Sequence, residues 1–114
     1  MGIPNPTHQA ASNAIAALGA WISVHTGAGG GTNGANEATG GGYARKLTTW
    51  TPGTTGTNQG SVVNIPVAAG TYTEGGINSA ASGGNFVGSG PFTGGNVVVS
   101  GAGASIDITP NIAA

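Results

Sequence analysis

The residue types that carry most enzyme chemistry are few in this sequence and lie far apart. The two histidines are His8 and His25, and the three carboxylates are Glu37, Glu74 and Asp107. A metal site normally draws three or four ligands from His, Cys, Asp and Glu, so a single site would use nearly all of these side chains. We therefore predict no metal site and no cofactor. Asparagine and backbone carbonyl oxygens of a glycine-rich loop are an alternative source of Ca²⁺ ligands.

Catalytic groupings are equally sparse. His25 and Thr26 are the only neighbouring base and hydroxyl, and adjacent residues of a strand point to opposite faces. The alternative interpretation of His25 is a partly buried histidine whose ring nitrogens bind backbone groups. Gly29, Gly31 and Gly34 match the spacing G-x-G-x-x-G, but no helix is predicted to open there, as a dinucleotide site requires. We predict that the protein is not an enzyme.

Charge is the second unusual property of the sequence. Only five of the 114 residues carry a full charge, and the net charge is −1, whereas about a quarter of the residues of an ordinary soluble domain are charged. Such a chain has no long-range field to attract nucleic acid or an anionic membrane. Low charge also leaves little repulsion between copies, so we expect self-association.

No segment resembles an export signal or a membrane span. Residues 1–6 lack a basic region followed by an apolar run, and no stretch approaches the roughly 20 apolar residues that span a bilayer. There is no cysteine, so disulfides and thiolate metal sites are excluded. We expect synthesis in a cytoplasm without a cleaved signal, and no membrane insertion.

One helix is predicted, at residues 6–18. Asn5 is the candidate N-cap and Pro6 suits the first helical position. Gly19 is expected to form a left-handed C-cap. Four apolar residues share one face of this helix: Ala11, Ala14, Ile15 and Leu18.

Short strands separated by glycine-rich turns are predicted for the rest of the chain. Alternating apolar residues or β-favouring composition indicate strands at 21–26, 43–50, 61–67, 71–77, 85–92, 96–100 and 104–109. Val63, Ile65 and Val67 form the expected core face of one strand. The sequence therefore predicts a single domain over 1–114, with a β-sandwich at 21–109. Its class is mainly β: an antiparallel β-sandwich or jelly-roll-like domain of about seven short strands with one N-terminal α-helix.

Residues 27–42 are predicted to form a loop of unusual length for a small domain. Loops of this length are functional or pack against a neighbour, so this one is the first candidate for a contact surface. Aromatic residues are the second candidate, because aromatic faces stack on sugars. Trp21, Trp50 and Tyr43 are the candidate glycan contacts, and the alternative is that these rings serve the core or an interface.

The stretch from Val24 to Trp50 resembles a known family. It contains A-N-E-A-T-G-G-G-Y-A-R, in which Asn36, Glu37, Tyr43 and Arg45 match the family pattern, and Trp50 follows. The pattern is similar to that of small glycine-rich virion proteins of tailed phages of actinobacteria, described as tail-fibre-like or minor tail proteins. Residues 65–91 are similar as well, although 76–79 read G-I-N-S where the family often has G-L-W-D.

The resemblance implies a structural virion protein, made in the host cytoplasm and built from several copies, with a trimer favoured. It also implies partners among the other tail or capsid proteins of the particle. A minor tail or fibre-type protein and a capsid decoration protein are both consistent with it, and a carbohydrate-binding module for host recognition is the alternative. The candidate interface or loop-anchoring residues are Asn36, Glu37, Tyr43, Arg45 and Trp50. Among them, Glu37 and Arg45 are expected to pair, since a carboxylate accepts the planar guanidinium at two points; the alternative is that the two charges are solvated separately.

Overall fold

A computed structural model describes residues 2–27 and 34–114. The described chain is mainly β with one N-terminal helix, which confirms the predicted class. Helix α1 spans Asn5–Leu18. The strands are β1 (Trp21–His25), β2 (Lys46–Leu47), β3 (Trp50–Pro52), β4 (Thr57–Gly60), β5 (Val63–Val67), β6 (Gly70–Tyr72), β7 (Glu74–Asn78), β8 (Phe86–Pro91), β9 (Val97–Val99), β10 (Ala104–Ile108) and β11 (Asn111–Ala113).

The described strands number eleven, where the sequence predicted about seven. The strand predicted at 43–50 divides into β2 and β3, because β2 pairs with β1 whereas β3 pairs with β4. The change of partner begins at Thr48. Its N–H donates to the carbonyl of Ala20 at 2.9 Å and its hydroxyl to the carbonyl of Ser61 at 2.7 Å. The strand predicted at 71–77 likewise divides between β6 and β7. Strands β4 and β11 were missed, because β4 is polar and β11 is only three residues long.

All described strand pairs are antiparallel and fall into four sheets. A four-stranded sheet has the order β2-β1-β7-β8, and a three-stranded sheet has the order β11-β4-β3. Two further pairs are β10-β5 and β6-β9. The β7–β8 pair contains a bulge: Ile77 faces Gly88 while Asn78 faces Phe86, so Val87 is the extra residue.

The hydrophobic core lies between the four-stranded sheet and the β10-β5 pair, as in a sandwich. Val63, Ile65 and Val67 are buried, as predicted, and cluster with residues of β1 and β10. Their polar neighbours Asn64 and Asp107 lie on the outer face of the same pair. The alternation along β5 therefore places one side of that strand in the core and the other toward solvent.

The two ends of α1 differ from the prediction. Pro4, not Asn5, occupies the N-cap, and no side chain caps the helix. Gly19 has an extended backbone with φ 177°, so it is not a left-handed C-cap. A glycine is needed there for space, since a Cβ would collide with the carbonyl oxygen of Asn78. Within the described chain, no helix is long and apolar enough to cross a membrane.

Helix α1 packs on the three-stranded sheet through polar side chains. Gln9 and Ser12 are its buried residues. The Gln9 amide nitrogen donates to the carbonyl of Thr57 at 2.8 Å, and Asn58 donates to the Ser12 hydroxyl at 2.8 Å. Of the apolar face predicted for this helix, Ile15 is half-buried, while Ala11, Ala14 and Leu18 are exposed, Leu18 by 61%.

Candidate functional site

The described part of the predicted long loop lies along β1. The N–H of Thr26 donates to the carbonyl of Asn36, and the N–H of Ala38 donates to the carbonyl of Val24, both at 2.8 Å. Glu37 thereby forms an antiparallel bridge with His25. Strand β7 occupies one edge of β1, so the loop and β2 share the other edge. Residues 28–33, with Gly29 and Gly31 of the G-x-G-x-x-G match, lie outside the described residues.

The backbone of this segment requires left-handed conformations. Asn36 has φ 59° and is the only described non-glycine residue with positive φ, a conformation that asparagine tolerates better than most residues. Gly41 has φ 65°, and a Cβ there would lie 2.6 Å from the carbonyl carbon of Val67. Glycine at 41 therefore serves both the turn and the close approach to β5.

Glu37 and Arg45 are in contact, with the two-point geometry expected of a carboxylate and a guanidinium. Arg45 donates from Nε to Oε2 and from Nη2 to Oε1 of Glu37, each at 2.8 Å. The Arg45 side chain is 12% exposed and that of Glu37 is 26% exposed. The hydrogen bonds from Arg45 hold the pKa of the Glu37 carboxyl below its usual range, although partial burial opposes this. The same pairing raises the pKa of Arg45.

Tyr43 completes this cluster. Its hydroxyl donates to Oε2 of Glu37 at 2.6 Å and accepts from the N–H of Val24 at 3.2 Å. Burial raises the pKa of the Tyr43 phenol, and donation to Glu37 raises it further. Tyr43 stays protonated at neutral pH and so remains a donor to the carboxylate.

Arg45 also binds a second segment of the chain. Its Nη1 donates to the carbonyls of Ala80 at 2.9 Å and Gly83 at 3.0 Å, in the connection between β7 and β8. One guanidinium thus joins the loop next to β1 to the turn at the far end of the sheet. We call Glu37, Tyr43 and Arg45 the anchor cluster.

His25 is buried and makes internal hydrogen bonds. It is 1% exposed, with Nδ1 2.8 Å from the carbonyl of Ala35 and Nε2 2.8 Å from the hydroxyl of Ser23. A carbonyl only accepts, so Nδ1 carries a proton. Thr26 instead donates to the carbonyl of Asn36 at 3.3 Å. Thr26 follows the end of β1, and the side chains of His25 and Thr26 bind different partners.

The aromatic residues predicted to contact glycans are only partly accessible. Trp21, Trp50 and Tyr43 are all half-buried. The Trp50 indole N–H donates to the carbonyl of Gly19 at 2.9 Å, which joins β3 to the end of α1. Trp50 and Tyr43 pack against the core. The polar ends of these two rings are therefore used inside the protein.

Two buried polar side chains beside this site, those of Ser23 and Asn78, were missed by sequence reasoning. Asn78 is 3% exposed and donates to the Ser23 hydroxyl at 2.8 Å, which continues the chain of hydrogen bonds to His25. Both lie in strands whose pairing is not evident from the sequence, so no local signal identifies them. Across the described ranges, no group of three or more His, Asp or Glu side chains is placed to hold a metal ion.

Comparison with known protein families identifies the class to which the chain belongs. A family model described as "Podophage GP4 fiber I protein gp80" matches residues 7–110, which include α1 from Thr7 onward, the anchor cluster and ten of the described strands. The protein is therefore a structural component of a bacteriophage fibre.

More particularly, the chain belongs to the podophage GP4 fiber I protein gp80 family. Searches among curated proteins and among solved structures gave no match. The predicted resemblance to phage fibre proteins is confirmed at the level of a phage fibre-type protein, and as such the chain is a virion component.

Proposed function

We propose that the protein builds the fibre by self-association, as a trimer, and attaches to other proteins of the phage tail. The observation that carries this proposal is the family match over residues 7–110. The sparse charge supports it, because copies of a chain with net charge −1 repel one another little. An elongated shape of 48 × 27 × 23 Å also suits side-by-side packing along a fibre.

The proposed role of the anchor cluster is to fix the shape of the loop that precedes it. Arg45 holds Glu37 at two points and also binds the carbonyls of Ala80 and Gly83. A loop held this way presents its outer residues in one conformation, which lowers the entropy lost when a neighbour binds. Residues 34–42 are then the described part of a contact surface for another copy or another fibre protein.

Further details of the proposal rest on the sequence. They are a host among the actinobacteria, synthesis in the host cytoplasm, a fold of one domain, and a role that involves neither catalysis nor nucleic acid. A tail location is favoured over capsid decoration because the matched family is described as a fibre protein.

Labelling of purified particles tests the proposal. Antibodies against the purified chain, followed by immunogold electron microscopy, should decorate the tail, and mass spectrometry should find the chain in the same particles. Gold on the capsid surface would contradict the tail location and favour a decoration protein. Absence of the chain from particles of high purity would overturn the proposed role.

A further inference from the structure

The packing of α1 is opposite to that of an ordinary amphipathic helix. A surface helix usually buries its apolar stripe and exposes polar residues. Here Gln9 is 8% exposed and Ser12 is fully buried, while Leu18 is 61% exposed. The polar side is held by specific hydrogen bonds: the Gln9 carbonyl oxygen accepts from the N–H groups of Gly56 and Thr57 at 3.0 and 3.2 Å. These hydrogen bonds fix the orientation of α1 on the sheet. Ile15 is half-buried, whereas Ala11, Ala14 and Leu18 are left exposed.

The outward residues of α1 have the spacing of a helix-packing seam. At 100° per residue, the side of α1 opposite Gln9 carries four residues within about 60° of one another: Thr7, Ala11, Ala14 and Leu18. Their separations along the chain are four, three and four residues, which is the spacing of the a and d positions in a coiled coil. All four residues are exposed. A stripe with this spacing fits a second α-helix.

Charge indicates which helix that is. Helix α1 contains no Asp, Glu, Lys or Arg, and its one titratable side chain, His8, lies near Gly56 of its own chain. Identical residues meet near the symmetry axis of a cyclic assembly, so any charge on such a seam would face the same charge. An uncharged seam is complementary to itself. Within the described chain α1 is the only helix, and a second copy offers the same uncharged seam.

We propose that α1 of one copy packs against α1 of a second copy through the seam of Thr7, Ala11, Ala14 and Leu18. This inference rests on the self-association proposed above and assigns it a surface. The alanines allow a close approach of the two helices, and Leu18 supplies the largest apolar side chain of the contact. The polar face of α1 remains bound to β4 in each copy.

Charge insertion on the seam tests the proposal. Leu18→Glu and Ala14→Glu each place like charges face to face, and Glu is a good helix former, so α1 should persist. Val98→Glu is the matched control, since Val98 is 73% exposed and lies on β9, which pairs with β6 and not with the sheet that α1 packs on. Sedimentation velocity over a range of concentrations gives the assembly mass, and circular dichroism verifies folding. We expect both seam variants to weaken assembly more than about tenfold in dissociation constant, and the control to assemble like the original chain.

The outcomes separate this proposal from the proposed function. If both seam variants are folded and keep the original assembly mass, the seam is wrong while self-association stands. If Val98→Glu dissociates the assembly and the seam variants do not, the interface lies near β9 and the seam is also wrong. If the original chain is monomeric at every concentration tested, self-association and the seam fail together. If both seam variants dissociate while Val98→Glu assembles like the original chain, the seam is supported.

Discussion

Replacement of Arg45 by alanine removes the centre of the anchor cluster. Arg45 makes two hydrogen bonds to Glu37 and two to backbone carbonyls of the β7–β8 connection. The variant leaves Glu37 with Tyr43 as its remaining side-chain donor. It also leaves the carbonyls of Ala80 and Gly83 without these hydrogen bonds, and releases the loop from the turn.

The expected cost follows from burial. An exposed ion pair contributes about 0–1 kcal/mol, and breaking a fully buried one costs about 3–5 kcal/mol. With side chains 12% and 26% exposed, this pair lies between these limits, so we expect Arg45→Ala to lower the free energy of unfolding by about 2–3 kcal/mol. Unfolding entropy of roughly 2.1 cal/mol/K per residue converts this into a fall in Tm of about 8–12 °C for a chain of this size.

The assay is thermal unfolding followed by circular dichroism, at neutral pH and moderate salt. Lys46→Ala is the matched control, since Lys46 is the neighbouring cation and is exposed on β2; its Tm should change by less than about 2 °C. Arg45→Lys should fall between the two, because lysine keeps the charge but cannot donate at two points. If Arg45→Ala unfolds at the same temperature as Lys46→Ala, the anchor cluster does not stabilise the fold.

Three further predictions address pH, backbone conformation and ligand binding. The lowered pKa of Glu37 contributes stability that is present above its unfolded value, near 4.5, and is lost as pH falls through the folded value. The difference in unfolding free energy between the original chain and Glu37→Gln should therefore shrink on acidification. A constant difference from pH 7 to pH 3 in denaturant titrations would contradict this. Gly41→Ala should destabilise the fold by more than about 2 kcal/mol, because it adds a Cβ against the backbone of Val67 and Ala68 at φ 65°. The control Gly94→Ala, with open space around it, should change stability by under about 1 kcal/mol. Equal melting temperatures of the two variants would refute the close packing of the loop. Because Trp21, Trp50 and Tyr43 are all half-buried and so offer little open ring face, we expect no glycan binding on arrays. Binding that Trp50→Ala abolishes in a folded variant would establish the carbohydrate-binding alternative instead.

The parts of the fold that could be predicted from sequence are those with a local signal. Val63, Ile65 and Val67 alternate with polar residues, and all three are buried. Glu37 and Arg45 could be paired because so few charges are available and their geometries match. In both cases a short stretch of sequence contains the information that the structure uses.

The parts that failed depend on partners distant in the chain. Periodicity shows which residues of α1 share a face, but it does not show which face meets the sheet. That choice depends on Asn58, whose amide binds Ser12 and Asn13, 46 and 45 residues away. Gly19 was misread for the same reason, because the backbone that requires it is that of Asn78 in β7. Strand β4 was missed because it has no alternating apolar residues: its polar groups form hydrogen bonds with side chains of α1.

The most direct test of the central claim, that this chain forms a fibre of a phage particle, is a density map of the intact virion. We predict fibre density attached to the tail that accommodates several copies of the 48 × 27 × 23 Å fold around a common axis. A map in which every tail and fibre density is accounted for by other proteins of the particle would contradict the claim.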